Sequence, residues 1–540
     1  MNVSARWTTL PAFVVALAVL LPFHDKAFTI DDTLFLRQAQ HALTDPLHPT
    51  AFEMVWSEIP QPTRMSAIMP SGPLMAYLLV PCVLAGGEEW VGHLVQLLLF
   101  GLGIGATAAL ALRLDRSAAE AGTAALVLAV TPTALAMAGT CMPDIPAMAF
   151  GVLAIERLVA WRQDGRLHQA MAAAVALALA VLARSHLVLL CGVGAILLAG
   201  DAASIRRWRE LPWRRFLPLA LGPLLAAAVF LATRDPGASP GAPLSAARTF
   251  SHFTNLASNV IAFSAHWTLV IPFAIPWLVL HPRRMAKRPL VYATALAAMI
   301  ALFLRGEVHH LALIGLSAGI GLGAVGDVLL DARKRRDTTD FVLGCWLLLA
   351  APIAFYLHMP SKYQLASAPA AAILVAKALG RRSPRGGLVA AAAIAVAGVL
   401  LGGVIVKADA DFAELGRVAS RGLIAPHVAA GKTVWFAGHW GFQWYAEKAG
   451  ARPLTLTPPH PLPGDLAVSS LRSFGEIIQI VPDRTLVSSL VGDRPGGRIM
   501  SFELGAGYYS NFWGYLPWAW GGEVLDRYEL WRVDDMVAPK

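Results

Sequence analysis

Two adjacent carboxylates, Asp31 and Asp32, stand directly after the first long apolar run, in FTIDDTLFLRQAQ (28–40). Leu34 and Leu36 suit a short helix lying beside a membrane. A carboxylate there is partly desolvated, which raises its basicity and suits it to accept a proton. The structural alternative is a helix N-terminal cap, because Asp favours the first turn. Asp144, in GTCMPDIP (139–146), is a lone acid between apolar runs. Such an acid is costly unless it is paired or wet, so it is a functional candidate by default; its alternative is again a cap, with Pro143 before it. Lys362 and Tyr363, in HMPSKYQLASAP (358–369), place a cation where it can hold a lipid phosphate, against the alternative of a lysine snorkelling to the interface. Arg305 with His309 and His310 forms a second basic spot, and Arg184 with His186 a third. Adjacent histidines on a helix point about 100° apart, and no third ligand accompanies them, so they do not read as a metal site.

These residues need elements to hold them, and the composition says which kind. The chain has 540 residues, 56% hydrophobic and only 15% charged. Soluble domains are nearer 25% charged, so an ordinary soluble enzyme and a disordered scaffold are excluded. The net charge of +9 does not mark a nucleic-acid surface. Its arginines and lysines come in short clusters between apolar runs, at 113–116, 157–166, 206–215, 283–288, 333–336 and 381–385. That pattern is membrane topology, with the clusters facing the cytoplasm.

The stretch 66–86 holds Pro70, Pro73 and Pro81. It is expected to lie in the outer interface or re-enter it rather than to span. About 13 spans then fit, near 9–24, 90–112, 118–138, 144–161, 169–184, 186–200, 216–233, 259–280, 289–304, 308–330, 340–357, 363–380 and 387–406. The odd count puts the N-terminus inside and the C-terminus outside. No A-x-A site follows the first apolar run, so it is expected to be an uncleaved span rather than a signal peptide.

The expected organisation is a helical membrane domain over 1–406, with an outer loop at 25–65, and an extracytoplasmic α/β domain over 407–540. Strands are expected at 433–437, 466–469 and 527–533, and a helix near 441–449. The aromatic run WFAGHWGFQWY (435–445) suits core packing better than sugar stacking. Cys82, Cys141, Cys191 and Cys345 lie in apolar stretches without pairing or metal-ligand spacing.

Taken in order, these stretches resemble the GT-C membrane glycosyltransferases of the bacterial glycosyltransferase family 39 type, relatives of protein O-mannosyltransferases and of the lipid A aminoarabinose transferase. Asp31-Asp32 is similar to that family's acidic pair after the first span. DPLHPTAFE (45–53) and PSGPLMAYLL (70–79) resemble its outer loop and interfacial helix. MPDIP (142–146) resembles its second acidic motif, SKYQLASAP (361–369) its Arg/Lys-Tyr motif, and FAGHWGFQWYAEKAG (436–450) the outer domain of a bacterial subgroup.

The resemblance implies a polyprenyl-phosphate sugar donor, an acceptor lipid, protein or glycan, and an inverting transfer at the outer face of the bacterial inner membrane. It implies Asp31 as the base, Asp32 and Asp144 as positioning groups, and Lys362, Tyr363, Arg305 and Arg64 around the phosphate. A divalent metal at Asp31 and Asp144 is left open. Family members often carry a Lys or His before the Pro-Pro of the interfacial helix; here Ile68-Met69-Pro70-Ser71-Gly72-Pro73 has no cation, and Arg64 is the substitute at hand. The competing readings are a transporter or flippase of a lipid-linked glycan and a non-catalytic relative. Acids at mid-span favour transport, and acids at the outer rim favour transfer.

Overall fold

The computed structural model describes residues 3–56, 60–69, 72–200, 213–238, 253–286, 288–303, 310–473 and 480–535. It is a bundle of helices with a small sheet region at its C-terminal end. Each of the thirteen segments expected to span carries a helix or a pair of helices. Among the described residues, five helices are long and apolar enough to cross a bilayer, and seven are if each bent pair counts as one span.

The two bends explain the difference in part. Ala118–Ala129 and Pro132–Ala138 meet at 60°, and Phe253–Leu269 and Ala274–Leu280 meet at 58°. Pro132 stands at the start of its helix, and Pro272 lies in the second break. Proline lacks a backbone donor and clashes with the preceding turn, so each helix stops there. The two breaks satisfy one another: the Thr133 N–H donates to the Val270 carbonyl at 3.4 Å. A freed backbone group at membrane depth needs such a partner. Glycine lets the helices around the second break close up. A Cβ on Gly321 would sit 1.9 Å from the Ser264 carbonyl oxygen, which no side chain can do.

Among its described residues, the stretch 66–86 is not one helix. It is three short helices, Met65–Ile68, Leu74–Leu78 and Val80–Leu84, separated where the prolines fall. Before them, β1 (Glu53–Val55) and β2 (Pro62–Arg64) pair as an antiparallel hairpin.

The helix expected to end at 406 continues to Ala419, as Pro384–Ala419, and passes through a π-turn at Ser420–Ile424 into Ala425–Ala429. The sheet strands follow: β3 (Val434–Ala437), β4 (Arg452–Pro453), β5 (Leu466–Ser470), β6 (Asp483–Val491), the short β7 to β10 between Gly496 and Gly521, and β11 (Arg527–Asp535). The main sheet runs β4-β3-β5-β11-β6, with β3 parallel to both neighbours and β11 antiparallel to both of its own. Phe436, Val468 and Leu530 on the sheet and Phe442 on the Trp440–Lys448 helix form one core. Ala419 and Ile424 of the extended long helix complete it, so that extension belongs to the sheet's hydrophobic core.

Candidate active site

The Trp440–Lys448 helix sits on residues 28–37 and fixes the turn that carries the acidic pair. A Cβ on Gly441 would lie 1.9 Å from the Phe28 carbonyl oxygen, so only glycine permits the approach. The Phe28 N–H donates to the Tyr445 hydroxyl at 2.8 Å, the Thr33 hydroxyl donates to the Trp440 carbonyl at 2.7 Å, and Arg37 pairs with Glu447. The aromatic run is thus mostly packing: Trp435, Phe442, Trp444 and Tyr445 are buried. Between these ties Ile30 is held at φ 42°, in the left-handed region a β-branched residue avoids. Such strain persists where the surroundings over-determine it.

The two acids that follow have different surroundings. Asp32 is fully buried, and both of its oxygens accept backbone N–H groups, from Thr29 at 2.9 Å and from Cys141 at 2.8 Å. Burial pushes its pKa up to about 7, against the pull of Lys26 and the two backbone donors. Asp32 therefore ties the 24–32 turn to the 139–142 turn. Asp31 caps nothing with its side chain, which is 29% exposed and accepts from Lys362 Nζ at 3.1 Å. The Lys362 ammonium is buried, 3.2 Å from the Met142 sulfur, and lies over the Tyr509 ring with 5.4 Å to its centre.

Asp144 stands in the first turn of its helix, with Pro143 at the cap position. Its carboxylate accepts from Arg184 at 2.9 Å, and that guanidinium lies 4.8 Å over the Tyr363 ring. Two ion pairs, Asp31–Lys362 and Asp144–Arg184, thus share one site, joined through the adjacent Lys362 and Tyr363. Residues 508–511 close over it. Ser361 N–H donates to the Tyr508 carbonyl at 3.2 Å, and Met359 N–H to the Asn511 side-chain oxygen at 2.8 Å. His358 stands 2.8 Å from Ser510 Oγ, and burial together with Lys362 lowers its pKa to about 4, so at neutral pH it adds no charge.

Arg64 is not with them. It pairs with Asp235 at 2.5 Å, and Ser66 donates to the same carboxylate, which pins the hairpin to residues 235–237. Arg305 and His309 lie outside the described residues, as do Pro70 and Ser71 of the interfacial motif. Asp31 and Asp144 each face a cation, and among the described residues no three His, Cys, Asp or Glu side chains gather as metal ligands would. The donor set does not fit a divalent ion.

Sequence reasoning named Arg184 without its acid and missed Lys26, Asp409, His358 and Tyr509. Lys26 did carry a signal, as a lysine on a face expected to be poor in basic residues.

The Asp32 shift has a measurable consequence. Its carboxyl is protonated in the fold up to about pH 7, whereas an unfolded chain releases that proton near the ordinary 3.8. The folded state therefore holds the extra proton between about pH 4 and 7. Stability from this group falls as pH rises through that window, by up to about 1.4 kcal/mol per pH unit. Thermal midpoints of the purified protein against pH should show this falling component in the wild type and not in Asp32→Asn. Parallel profiles for the two would contradict the assignment.

No protein-family model and no curated protein sequence matches the chain. Solved structures do. The ArnT of Cupriavidus metallidurans bound to undecaprenyl phosphate aligns with a TM-score of 0.50 at 16% identity, over 90% of this chain and 96% of that one. An archaeal oligosaccharyltransferase, AglB of Archaeoglobus fulgidus with an inhibitory peptide and a dolichol phosphate, aligns at 0.46 and 13% identity, over 83% of this chain and 64% of that one. The apo ArnT of C. metallidurans aligns at 0.44 and 16% identity, over 83% and 85%. The chain therefore shares its fold with the ArnT of C. metallidurans.

Proposed function

We propose that the chain is an inverting glycosyltransferase that moves a sugar from a polyprenyl-phosphate donor to an acceptor at the outer face of the bacterial inner membrane. In this reading the N-terminus is inside, about 13 segments span, and the sheet region is extracytoplasmic. The observation that carries it is the pairing of Asp31 with Lys362: a partly exposed carboxylate and a buried ammonium 3.1 Å apart. A transfer from a lipid phosphate needs a base for the acceptor and a cation for the leaving group.

The acceptor O–H or N–H gives its proton to Asp31 as its lone pair attacks the anomeric carbon. The bond from that carbon to the phosphate oxygen breaks on the opposite side, and polyprenyl phosphate departs as an anion. Lys362 and Arg184 stabilise the charge that grows on the phosphate. Tyr363 holds Arg184 in place, and Asp144 orients it. Asp32 acts by positioning, since both of its oxygens are engaged by backbone.

The lipid tail has a place to lie. An apolar groove of about 370 Å³ runs between Val270–Leu280 and residues 390–401, with Pro132 at one end. That end adjoins Thr133, whose carbonyl accepts the Tyr508 hydroxyl at 3.4 Å beside the site. In this reading Asp31 and Asp144, which stand at helix starts, lie at the outer rim, where acids favour transfer over a flippase.

The test is a steady-state assay with a polyprenyl-phosphate sugar. Lys362→Ala should lower kcat/KM for the donor about 10²–10³-fold, the scale of losing one donor to a developing anion. The acceptor KM should change less than the donor's, although Lys362 also pairs with Asp31 on the acceptor side. An unchanged donor dependence would remove Lys362 from the phosphate.

A further inference from the structure

Residues 504–520 form a strap, of which 508–511 close over Lys362, and the strap reaches the ends of the apolar helices. Phe253 begins the bent pair Phe253–Leu269 and Ala274–Leu280, and Phe355 ends the apolar stretch Thr338–Phe355. The two rings pack edge to face with 5.7 Å between their centres, and both are exposed. Exposed aromatic rings at span ends mark the level where acyl chains meet headgroups.

The strap is tied to the helices at that level in two places. The Asn511 amide donates to Ser258 Oγ at 2.8 Å and to the Asn259 side-chain oxygen at 3.0 Å, and the Tyr515 and Ser258 hydroxyls stand 2.8 Å apart. Asn259 lies one to two turns further into its helix than Phe253, at the start of the span expected over 259–280. At the other end β10 (Ala519–Gly521) pairs with β7 (Gly496–Arg498), with Trp520 opposite Gly497. A Cβ on Gly497 would lie 2.7 Å from the Ala408 Cβ, two residues past the expected end of the last span.

Between these ties the strap merges with the bundle. Ala506, Leu516 and Ala519 share one hydrophobic cluster with Ile261 and Ala265 of the first helix and with Ile314 and Ala318 of Leu311–Arg335. On that last helix Leu313 and Leu316, in the same turns, are about half exposed, as residues facing lipid are. The strap itself exposes two aromatic rings, Phe512 at 47% and Trp520 at 66%. Such rings sit well at a bilayer surface, and the indole adds an N–H for the headgroups.

We propose that Phe512 and Trp520 seat the strap in the outer leaflet, so that the partner of this face is a lipid surface. The inference rests on the spanning reading given above. It gives residues 508–511 two footings, the hydrogen bonds to Met359 and Ser361 on the side of the site and the bilayer on the other.

The test uses the full chain in vesicles of phosphatidylethanolamine and phosphatidylglycerol, doped with a phosphatidylcholine that carries a photoactivatable diazirine on its acyl chain. Adducts formed on illumination are mapped by peptide mass spectrometry. The sheet supplies the control, because Leu486 and Val487 of the edge strand β6 are exposed apolar side chains too, beside Asp483 and Arg484. Phe512 and Trp520 should be labelled about as heavily as Leu313, Leu316 and Leu400, which are exposed on the apolar helices. They should exceed Leu486 and Val487 by about tenfold or more, the scale on which an apolar side chain prefers lipid to water.

Labelling of Phe512 and Trp520 no heavier than that of Leu486 and Val487 would overturn the proposal and leave the spans in place. Loss of adducts from Leu313, Leu316 and Leu400 as well would overturn the spanning reading, and the proposal with it. A dimer in size-exclusion chromatography that Trp520→Ser dissociates would give this face to a second copy of the chain and overturn the lipid assignment.

Discussion

Asp31→Asn abolishes measurable transfer and leaves the folded protein intact: that is the expected result of the most direct substitution in the proposed site. Asparagine has nearly the volume of aspartate and still accepts a hydrogen bond from Lys362, so the 3.1 Å contact has a neutral counterpart. The Asp31 side chain caps no helix and is partly exposed, so its charge is not holding a turn together. The amide cannot take a proton from the acceptor. Removing a general base costs about 10²–10⁴ in rate, and more where no water can replace it. Transfer of labelled sugar in vesicles should fall by at least that factor in a variant that still folds and inserts, with the thermal midpoint lowered by less than in Asp32→Asn, because the buried Lys362 ammonium keeps a neutral acceptor and the pair is partly exposed. Asp32→Asn makes the necessary contrast. Its oxygens accept two backbone N–H groups, and an amide can serve only one of them, so stability should fall by about 1–3 kcal/mol. Transfer by Asp31→Asn within about threefold of wild type would sink the base assignment.

The contrast between these neighbours also marks what a sequence can say. The pair was visible as two acids after an apolar run, but nothing in FTIDDTLF tells the buried one from the exposed one. Their surroundings come from Cys141 and Lys362, and Lys362 lies 331 positions away from Asp31. The cap readings hold in position, with Asp31 at the N-cap of its helix and Asp144 in the first turn after Pro143, but the side chains of both acids turn to distant cations.

Secondary structure was more legible where one physical rule dominated. Strands at 433–437, 466–469 and 527–533 fall on β3, β5 and β11, whose residues fill the sheet's interior. The β6 strand, DRTLVSSLV, is an exposed edge and lacked that apolar mark. The helix past 406 was missed because ADADFAELGRVA reads as leaving the membrane. Its buried face, with Ala408, Phe412, Ala413, Gly416 and Ala419, keeps helical spacing in plain view. The bends at Pro132 and Pro272 were likewise written in the sequence, and only their mutual contact through Thr133 and Val270 needed the fold.

The second large effect belongs to a pair no motif announced. Lys26 and Asp409 are both almost fully buried and lie 2.7 Å apart. Lys26 also donates to the Gly139 carbonyl at 2.6 Å, and Asp409 accepts from the Tyr509 hydroxyl at 2.9 Å. One ion pair thus joins the long helix to three segments next to site residues: the turn before Asp31, the turn before Asp144 and the strap over Lys362. Removing one partner leaves an uncompensated buried charge, which costs about 3–5 kcal/mol. Lys26→Met and Asp409→Leu should each lower the thermal midpoint strongly and cut transfer with it. The double variant removes both charges and leaves apolar side chains of similar bulk, so it should recover most of the lost stability. Transfer should recover less, because the hydrogen bonds to Gly139 and Tyr509 are gone and the four segments lose their common register. A double-mutant cycle on the thermal midpoint measures the coupling directly. Additive losses in that cycle would mean that the two charges do not depend on each other, and the four-way tie would then rest on packing alone.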